Sequence, residues 1–272
     1  MTTDTLTMEP ITARQFCWQE CTTRDTVAAG AFYSELFGWT QEVQAYPEFN
    51  YTIFQSGEAP IAGMMAMDAE WPAEIPAHWM SYVAVTEIEA VAARVTECGG
   101  SLCVPVTAIP PGKFCVVTDP TGAVFSLFEG GDGVNATGDR AFGWWELATT
   151  DVERARTFYN DLLGWTAVDH PAATDPPYCC FMDGETLVGG LLKVPETWGE
   201  GHPSCWTPSV QTEDIDELTA KAAALGGQVY QQPTDVPGVV RYSTIQDPTG
   251  AVISMYKLLA TTCGSGCGCQ PK

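Results

Sequence analysis

The chain has 272 residues, of which 45% are hydrophobic and 17% are charged, so it is long enough to form two globular domains with separate cores. Its 34 acidic and 12 basic residues give a formal net charge of -22, which disfavours binding to nucleic acid or to an anionic membrane surface. We therefore expect a small-molecule ligand and neither a nucleic-acid nor a membrane partner. The chain begins without a basic and apolar leader and contains no run long enough to span a bilayer, which predicts a cytoplasmic protein. Its eleven cysteines favour reduced thiols over a disulfide framework.

The sequence repeats itself at an offset of 126 residues, which grows to 128 near the end of each copy. A period of this length exceeds that of a solenoid repeat and indicates two domains of similar fold. We place the first domain at 10–130, a Gly-rich linker at 131–139, the second domain at 140–258 and a Cys-rich tail at 259–272. The repeated positions include Trp18 and Trp144, Glu20 and Glu146, Tyr33 and Tyr159, Gly38 and Gly164, and the Asp-Pro-Thr-Gly-Ala-Val runs at 119–124 and 247–252.

Each copy predicts a strand, a helix and three strands, followed by the same order again. In the first copy, a strand at 16–22 precedes a helix that ends at Gly38, and β-rich runs follow near 51–54 and 61–67. The second half begins with a strand at 79–85 and a helix with a capping box at 86–89, closed by Gly99 and Gly100. The second copy repeats this order, with capping signals at 150–153 and 214–217 and a helix stop at Gly164.

Several repeated stretches together carry a resemblance to a known family. They are Trp-Trp-Glu-Leu-Ala-Thr-Thr-Asp at 144–151, Phe-Tyr at 158–159, Leu-Gly-Trp at 163–165 and the two Asp-Pro-Thr-Gly-Ala-Val runs. Through them the chain resembles the vicinal oxygen chelate superfamily, which includes glyoxalase I, bleomycin-resistance proteins, fosfomycin-resistance enzymes and extradiol dioxygenases. The resemblance implies an α+β fold of two tandem domains, a pseudo-dimer within one chain. In each domain, paired βαβββ modules would form one curved-sheet cup.

The positions that hold a metal in enzymes of this superfamily are occupied here by other residue types. Those enzymes usually place His, Gln or Glu on the first strand of each module and Glu on the last strand. None of the residues found here is a usual ligand of a hard divalent cation. We therefore expect cups without a cofactor that bind an apolar or aromatic small molecule, for sequestration, transport or resistance. The aligned residues are Trp18, Met80 and Ser126 in the first domain and Trp144, Thr207 and Ser254 in the second.

Both copies keep aromatic and charged residues that we expect to line the cups. Because alternate residues of a strand share a face, Trp18 and Glu20 point together, as do Trp144 and Glu146. An aromatic wall with few polar groups is typical of a small-molecule site. In the alternative interpretation the aromatic residues stabilise the core, the carboxylates form salt bridges or caps, and the basic residues are solvated. The other expected lining residues are Tyr51, Phe54, Trp79 and Lys113 in the first copy and Tyr178, Phe181, Trp206 and Arg241 in the second.

Two further hypotheses remain open. Burial among tryptophans raises the pKa of a carboxyl group, so Glu20 or Glu146 is able to serve as the acid or base of a metal-independent glyoxalase-like lyase or isomerase. Separately, Cys263, Cys267 and Cys269 form a thiol-rich tail suited to a soft metal or metalloid, with a disordered end as the alternative. The sequence does not distinguish these activities from binding alone, and it leaves the oligomeric state open.

Overall fold

The computed structural model describes residues 6–10, 12–47, 49–131, 134–174 and 177–259. None of the helices in these ranges has the length and hydropathy of a transmembrane segment. A short strand, β1 (Thr7–Pro10), precedes the first domain. The first domain contains β2 (Phe16–Thr23), α1 (Thr26–Phe37), β3 (Thr40–Ala45), β4 (Asn50–Ser56), β5 (Ala59–Ala66), β6 (His78–Ala84), α2 (Ile88–Arg94), β7 (Ser101–Ile109), β8 (Gly112–Thr118) and β9 (Val124–Glu129).

After a further short strand, β10 (Val134–Thr137), the second domain repeats the order of the first. The link between its two halves contains a 3-10 turn at Glu196–Trp198, where the first domain has only turns and bends. The elements are β11 (Phe142–Thr149), α3 (Val152–Leu163), β12 (Thr166–Thr174), β13 (Pro177–Asp183), β14 (Thr186–Lys193), β15 (Cys205–Gln211), α4 (Ile215–Ala224), β16 (Gln228–Val236), β17 (Val240–Gln246) and β18 (Val252–Leu258).

Each domain forms one eight-stranded mixed sheet with the same topology. The strand order is β3-β4-β5-β2-β6-β9-β8-β7 in the first domain and β12-β13-β14-β11-β15-β18-β17-β16 in the second. The first strands of the two modules lie antiparallel at the centre, β2 against β6 and β11 against β15. Each is flanked by a parallel strand of its own module, as β2 is by β5. The expected α+β fold of paired βαβββ modules is therefore confirmed.

The helix boundaries show which of the local sequence signals are used. The Asp151 side chain caps α3 by accepting a hydrogen bond from the Arg154 backbone N–H at 3.1 Å, and Gly164 ends the helix at a φ of 76°. The capping box expected at 86–89 is wrong, because Glu87 adopts a φ of 55° and its side chain makes no cap. Asp214 also makes no side-chain cap on α4, since its carboxylate pairs with Arg140.

The segment expected to be a Gly-rich linker contains a strand. Within 131–139, β10 (Val134–Thr137) pairs antiparallel with β1 (Thr7–Pro10), and Ala136 is buried in one of the cores. The pairing partner lies about 130 residues earlier in the chain, so no local pattern indicated it. The two strands form a separate small sheet between the domains.

The helix-facing sides of the two sheets pack into two hydrophobic cores, and each core contains residues of both domains. One core joins α1 of the first domain to α4 of the second, and the other joins α2 to α3. Phe16 of the first domain stacks on Trp145 of the second at 4.7 Å and meets Trp206 edge-on at 5.1 Å. Its copy, Phe142, packs against Trp39 and Trp79 of the first domain. The duplicated aromatic residues therefore exchange partners between the domains.

Candidate ligand-binding cups

The central strand of each sheet separates a core face from an open face. Along β2, Cys21 is fully buried in the core against α1, while Trp18 and Glu20 lie on the opposite face. Strand β11 repeats this arrangement with Trp144 and Glu146. We call the sheet faces away from the helices the first cup, in the domain of β2, and the second cup, in the domain of β11.

In the first cup, a chain of hydrogen bonds links an indole, a phenol and a carboxylate. Trp18 Nε1 donates to the Tyr51 hydroxyl at 2.9 Å, and Tyr51 in turn is hydrogen-bonded to Glu20. The same carboxylate accepts hydrogen bonds from the Tyr82 hydroxyl at 3.2 Å and from the Thr22 hydroxyl at 3.5 Å. Glu20, with 8% of its surface exposed, is thus buried and held by three donors.

The second cup repeats this chain with fewer donors. Trp144 Nε1 donates to the Tyr178 hydroxyl at 3.2 Å, and Tyr178 donates to Glu146 Oε2 at 2.9 Å. Glu146 is partly exposed. Its Oε1 atom has no hydrogen-bond partner among the described residues and is not enclosed. The indole, phenol and carboxylate are therefore a shared feature of both cups.

A glycine beneath each tyrosine makes this chain sterically possible. Gly63 pairs with Glu20 across the parallel strands, and a Cβ on Gly63 would lie 1.9 Å from the Tyr51 hydroxyl. Gly190 pairs with Glu146, and its Cβ would lie 1.7 Å from the Tyr178 hydroxyl. Since real Cβ atoms do not approach so closely, any larger residue at these positions would displace the phenol from the carboxylate.

Burial changes the ionisation of both ends of the chain. It raises the pKa of Glu20, an effect that the hydrogen bonds from Tyr51, Tyr82 and Thr22 partly offset. Burial likewise raises the pKa of Glu146, which only the hydrogen bond from Tyr178 offsets. The pKa values of Tyr51 and Tyr178 are raised well above 10.0, first by burial and then by the neighbouring carboxylate charge. These phenols therefore stay protonated at neutral pH and act as donors.

Four of the expected lining residues lie in the cores and not in the cups. Trp79 Nε1 donates to the buried Tyr33 hydroxyl at 2.8 Å, and Trp206 Nε1 donates to the Tyr159 hydroxyl at 2.8 Å. Each tryptophan pairs in register with a core-facing residue of the central strand, as Trp79 does with Cys21. Their placement follows the alternation along β6 and β15, which puts these tryptophans on the helix side. The other two are Phe54 and Phe181, both 0% exposed.

The basic pair also lies outside the cups. Lys113 Nζ contacts Glu89 Oε1 at 2.6 Å, and Arg241 forms two hydrogen bonds with Asp216. Both carboxylates belong to the helices, so these side chains extend from the helix-facing side of β8 and β17. The alternative interpretation of Lys113 and Arg241 as solvated residues is closer to the structure, in which both are partly exposed strand residues that form ion pairs with helix carboxylates.

Other cup residues were missed by the sequence reasoning. Tyr82 lies beside Trp18 in the first cup, and Tyr242 faces Glu146 in the second, where the carboxylate charge contributes to its raised pKa after burial. Two-residue alternation from Met80 indicates Tyr82, and the neighbour of each misplaced basic residue, Phe114 or Tyr242, is the one that faces the cup. The strand period therefore predicts cup residues one position away from Lys113 and Arg241, which lie on the opposite face of their strands.

The donors in the cups do not fit a hard divalent cation. Such an ion needs several nitrogen or oxygen ligands that converge, and each cup supplies one carboxylate that is already engaged by a phenol. Across the described ranges, no three His, Cys, Asp or Glu side chains gather closely enough to hold a metal. The residues at the superfamily's ligand positions, such as Met80 and Ser126, contribute no strong ligand for such a cation.

The thiol-rich tail, with Cys263, Cys267 and Cys269, lies outside the described residues, so its metal binding stays a prediction. On β13, Cys179 is buried on the core side and Cys180 is partly exposed. These neighbouring thiols therefore face opposite sides of the sheet, as strand alternation requires.

Comparison with known proteins identifies the class of protein that this fold and these cups define. A model of the Glyoxalase/Bleomycin resistance protein/Dioxygenase superfamily matches residues 141–255, and a model of the glyoxalase-like domain matches residues 16–128. A protein of Mycobacterium tuberculosis (strain CDC 1551 / Oshkosh) with the name "Putative glyoxylase CFP32" is 32% identical over 246 residues. This match spans 88% of the chain and 93% of the relative. The chain belongs to the glyoxalase/bleomycin resistance/dioxygenase superfamily.

A second relative and two solved structures extend the comparison. The "Anthracycline biosynthesis protein DauV" of Streptomyces sp. (strain C5) is 31% identical over 259 residues, which span 89% of this chain and 92% of that protein. The Mn(II)-bound glyoxalase from Novosphingobium aromaticivorans superposes with a TM-score of 0.63 at 15% identity, over 93% of this chain and 86% of that one. The 2,3-dioxygenase LapB from Pseudomonas sp. KL28 superposes with a TM-score of 0.60 at 12% identity, over 91% of this chain and 93% of that one. These structures share the fold.

Proposed function

We propose that this protein binds an aromatic or otherwise apolar small molecule in its cups without a metal, for sequestration, transport or resistance. The observation that carries the proposal is the indole, phenol and carboxylate chain, repeated on the open faces of both sheets. The indole of Trp144 offers an apolar surface to a ring, and Glu146 offers an acceptor for a polar group at its edge. This combination supports binding and orientation of a ligand.

The name of one relative supports an aromatic ligand. One relative carries a name that assigns it to anthracycline biosynthesis, and anthracyclines are polycyclic aromatic compounds. The net charge of -22 favours a neutral or cationic molecule over an anionic one. A hydroxylated anthraquinone, which is uncharged near neutral pH and absorbs visible light, is therefore a suitable probe.

Titration of the purified protein with 1,8-dihydroxyanthraquinone, followed by tryptophan fluorescence and calorimetry, tests the proposal. We expect saturable binding, and we expect Trp144→Ala to weaken it by about tenfold or more, because truncating a well-packed aromatic residue costs on the order of 2 kcal/mol. Trp198→Ala is the matched control, since this tryptophan is 44% exposed on the turn between the two modules. Equal weakening by both substitutions, or no saturable binding, would contradict the proposal.

A second candidate function is a metal-independent lyase or isomerase. The observation that favours it is the raised pKa of the partly buried Glu146, which brings a lone carboxyl group closer to the neutral range that proton transfer requires. The Glu146→Gln variant separates the two functions, because an amide preserves the shape and accepts the Tyr178 hydrogen bond but exchanges no proton. Turnover of a bound ligand by the wild type that falls by roughly a hundredfold in Glu146→Gln would establish the enzyme.

A further inference from the structure

We infer that the second cup is the binding site and that the first cup is closed by Tyr82, a deduction that rests on the proposed function. The two cups share their indole, phenol and carboxylate but differ at the position opposite the indole. Tyr82 pairs with Trp18 across the central strands, whereas Ser209 pairs with Trp144. A phenol ring therefore occupies the first cup where the second has a short hydroxyl side chain.

The ring of Tyr82 covers the floor of the first cup. Its hydroxyl reaches Glu20, and its centroid lies 6.5 Å from that of Phe114 on the neighbouring part of the sheet. Ser126, which pairs in register with Tyr82 on β9, is 0% exposed. Its copy in the second cup, Ser254, is partly exposed. The serine of the last module strand is thus covered in the first domain and partly exposed in the second.

The carboxylate of the second cup is also more exposed than that of the first cup and has fewer hydrogen-bond donors. Glu20 is buried and accepts from Tyr82 and Thr22 as well as Tyr51. In the second domain, the residue that corresponds to Thr22 is Ala148, which has no hydroxyl. Glu146 keeps a single donor and leaves Oε1 without a partner among the described residues. A ligand that donates a hydrogen bond therefore meets a carboxylate with fewer donors and more exposed surface in the second cup.

Further substitutions make the second cup more polar. Tyr242 replaces Phe114 and brings to the cup a hydroxyl that has no hydrogen-bond partner within the described part of the chain, and Thr207 replaces Met80 beside the carboxylate. A vacant carboxylate oxygen, a free phenol and the Trp144 indole together suit an aromatic ring that carries a hydroxyl or protonated amine at its edge. We assign phenolic and amino-substituted aromatic compounds as the ligand class of this cup.

Transfer of the first cup's residues into the second tests the inference. We expect the wild type to bind one equivalent of 1,8-dihydroxyanthraquinone, and Ser209→Tyr or Thr207→Met to weaken that binding about tenfold or more. The unfolding midpoint of each variant shows whether it is folded. If one variant fails to fold, the other still tests the inference. Two equivalents in the wild type, or full binding by a folded Ser209→Tyr variant, would overturn the inference.

A measurement without ligand separates this inference from the proposed function. Labelling of carboxyl groups with carbodiimide and glycine ethyl ester, followed by peptide mass spectrometry, reports the accessibility of Glu20 and Glu146. In the wild type, we expect Glu146 to be labelled several-fold faster than Glu20. Ser209→Tyr should lower the labelling rate of Glu146, and Tyr82→Ser should raise the labelling rate of Glu20. If the probe does not bind but labelling shows this asymmetry, the proposed function fails while the difference between the cups stands. Equal labelling rates in the wild type would overturn the inference.

Discussion

Tyr159 of the second domain donates a hydrogen bond to Asp119 of the first, with 3.0 Å between the hydroxyl oxygen and Oδ2. Tyr33 of the first domain makes the same contact with Asp247 of the second at 2.8 Å. The other oxygen of each aspartate holds the tight turn of its own Asp-Pro-Thr-Gly-Ala-Val run, as Asp119 Oδ1 does with the backbone of Thr121 and Ala123. The repeated run therefore fixes a turn and joins the two domains at once.

Removing one of these hydroxyls should destabilise the whole protein. Tyr159→Phe leaves Asp119 Oδ2 and Trp206 Nε1 without a partner in a buried site, at an expected cost of about 1–3 kcal/mol in the free energy of unfolding. Urea denaturation measures this cost. Tyr230→Phe is the control because Tyr230 is 51% exposed, and it should change the free energy by less than about 0.5 kcal/mol. Equal stability of the two variants would contradict the role of the contact.

The two domains should unfold together. Each core contains residues of both domains. Phe16 of the first domain packs against tryptophans of the second, and Phe142 of the second packs against tryptophans of the first, so neither domain has a complete core alone. We expect a single transition in differential scanning calorimetry, with a calorimetric enthalpy equal to the van't Hoff enthalpy. Two resolved transitions assigned to the two halves would show that the cores are independent.

The shared cores also explain why the sequence predicted the fold better than the site. The 126-residue offset, the helix stops at Gly38 and Gly164 and the strand patterns were sufficient for two domains of paired modules. A repeated residue, however, is retained for either packing or binding, and the repeat alone does not distinguish them. Trp79 and Trp206 recur because each packs against a phenylalanine of the other domain, Phe142 and Phe16 respectively, which is a non-local property of the fold.

Strand alternation predicts which residues of one strand share a face, but it does not predict which residue of the neighbouring strand lies beside them. Placing Trp18 and Glu20 on one face required no tertiary contact, and the structure puts both on the open side. Tyr82 is brought beside Trp18 by the antiparallel pairing of β2 with β6, whose register includes an irregularity between Phe16 and Trp18. A shift of this kind is set by packing and is not visible in either strand alone.

Replacement of Gly190 by Ala should break the hydrogen-bond chain in the second cup. The added Cβ would lie 1.7 Å from the Tyr178 hydroxyl, so the phenol must leave Glu146. We expect Gly190→Ala to weaken binding of 1,8-dihydroxyanthraquinone by about tenfold, because the indole and the carboxylate lose their common partner.

Tyr178→Phe provides the comparison for this variant, because it removes the hydroxyl and keeps the ring in place. It should lower affinity less than Gly190→Ala, which also displaces the ring from Gly190. Calorimetric titration of both variants measures the difference. Binding by Gly190→Ala at wild-type affinity would show that the position of Tyr178 is unimportant.

Burial of Glu146 should leave a signature in the pH dependence of stability. Its folded-state pKa lies above the ordinary 4.5, so the folded protein binds the proton more tightly than the unfolded chain does. The resulting stabilisation is fully present below about pH 4.5 and is lost as the pH rises through the folded-state pKa. Glu146→Gln removes this titration. As the pH rises through this window, the free energy of unfolding of the wild type should therefore fall relative to that of the variant.

Chemical denaturation of the wild type and of Glu146→Gln at a series of pH values from 4 to 8 measures the difference. Glu153→Gln is the control, since the Glu153 side chain is 82% exposed on α3. Its stability should follow the wild type across the same range apart from a constant offset. If the free energies of unfolding of the wild type and Glu146→Gln differ by the same amount at every pH, burial does not raise the pKa of Glu146.

Binding of 1,8-dihydroxyanthraquinone before and after removal of metal tests the central claim most directly. Protein truncated after Leu259, so that the thiol-rich tail is absent, is dialysed against a chelator, analysed for metal and titrated by calorimetry with and without added Mn(II) or Zn(II). Because the cups supply aromatic surface and a hydrogen-bonding carboxylate but no set of metal ligands, we expect the same dissociation constant in every case. Binding that disappears on chelation and returns with one equivalent of Mn(II) or Zn(II) would contradict the account.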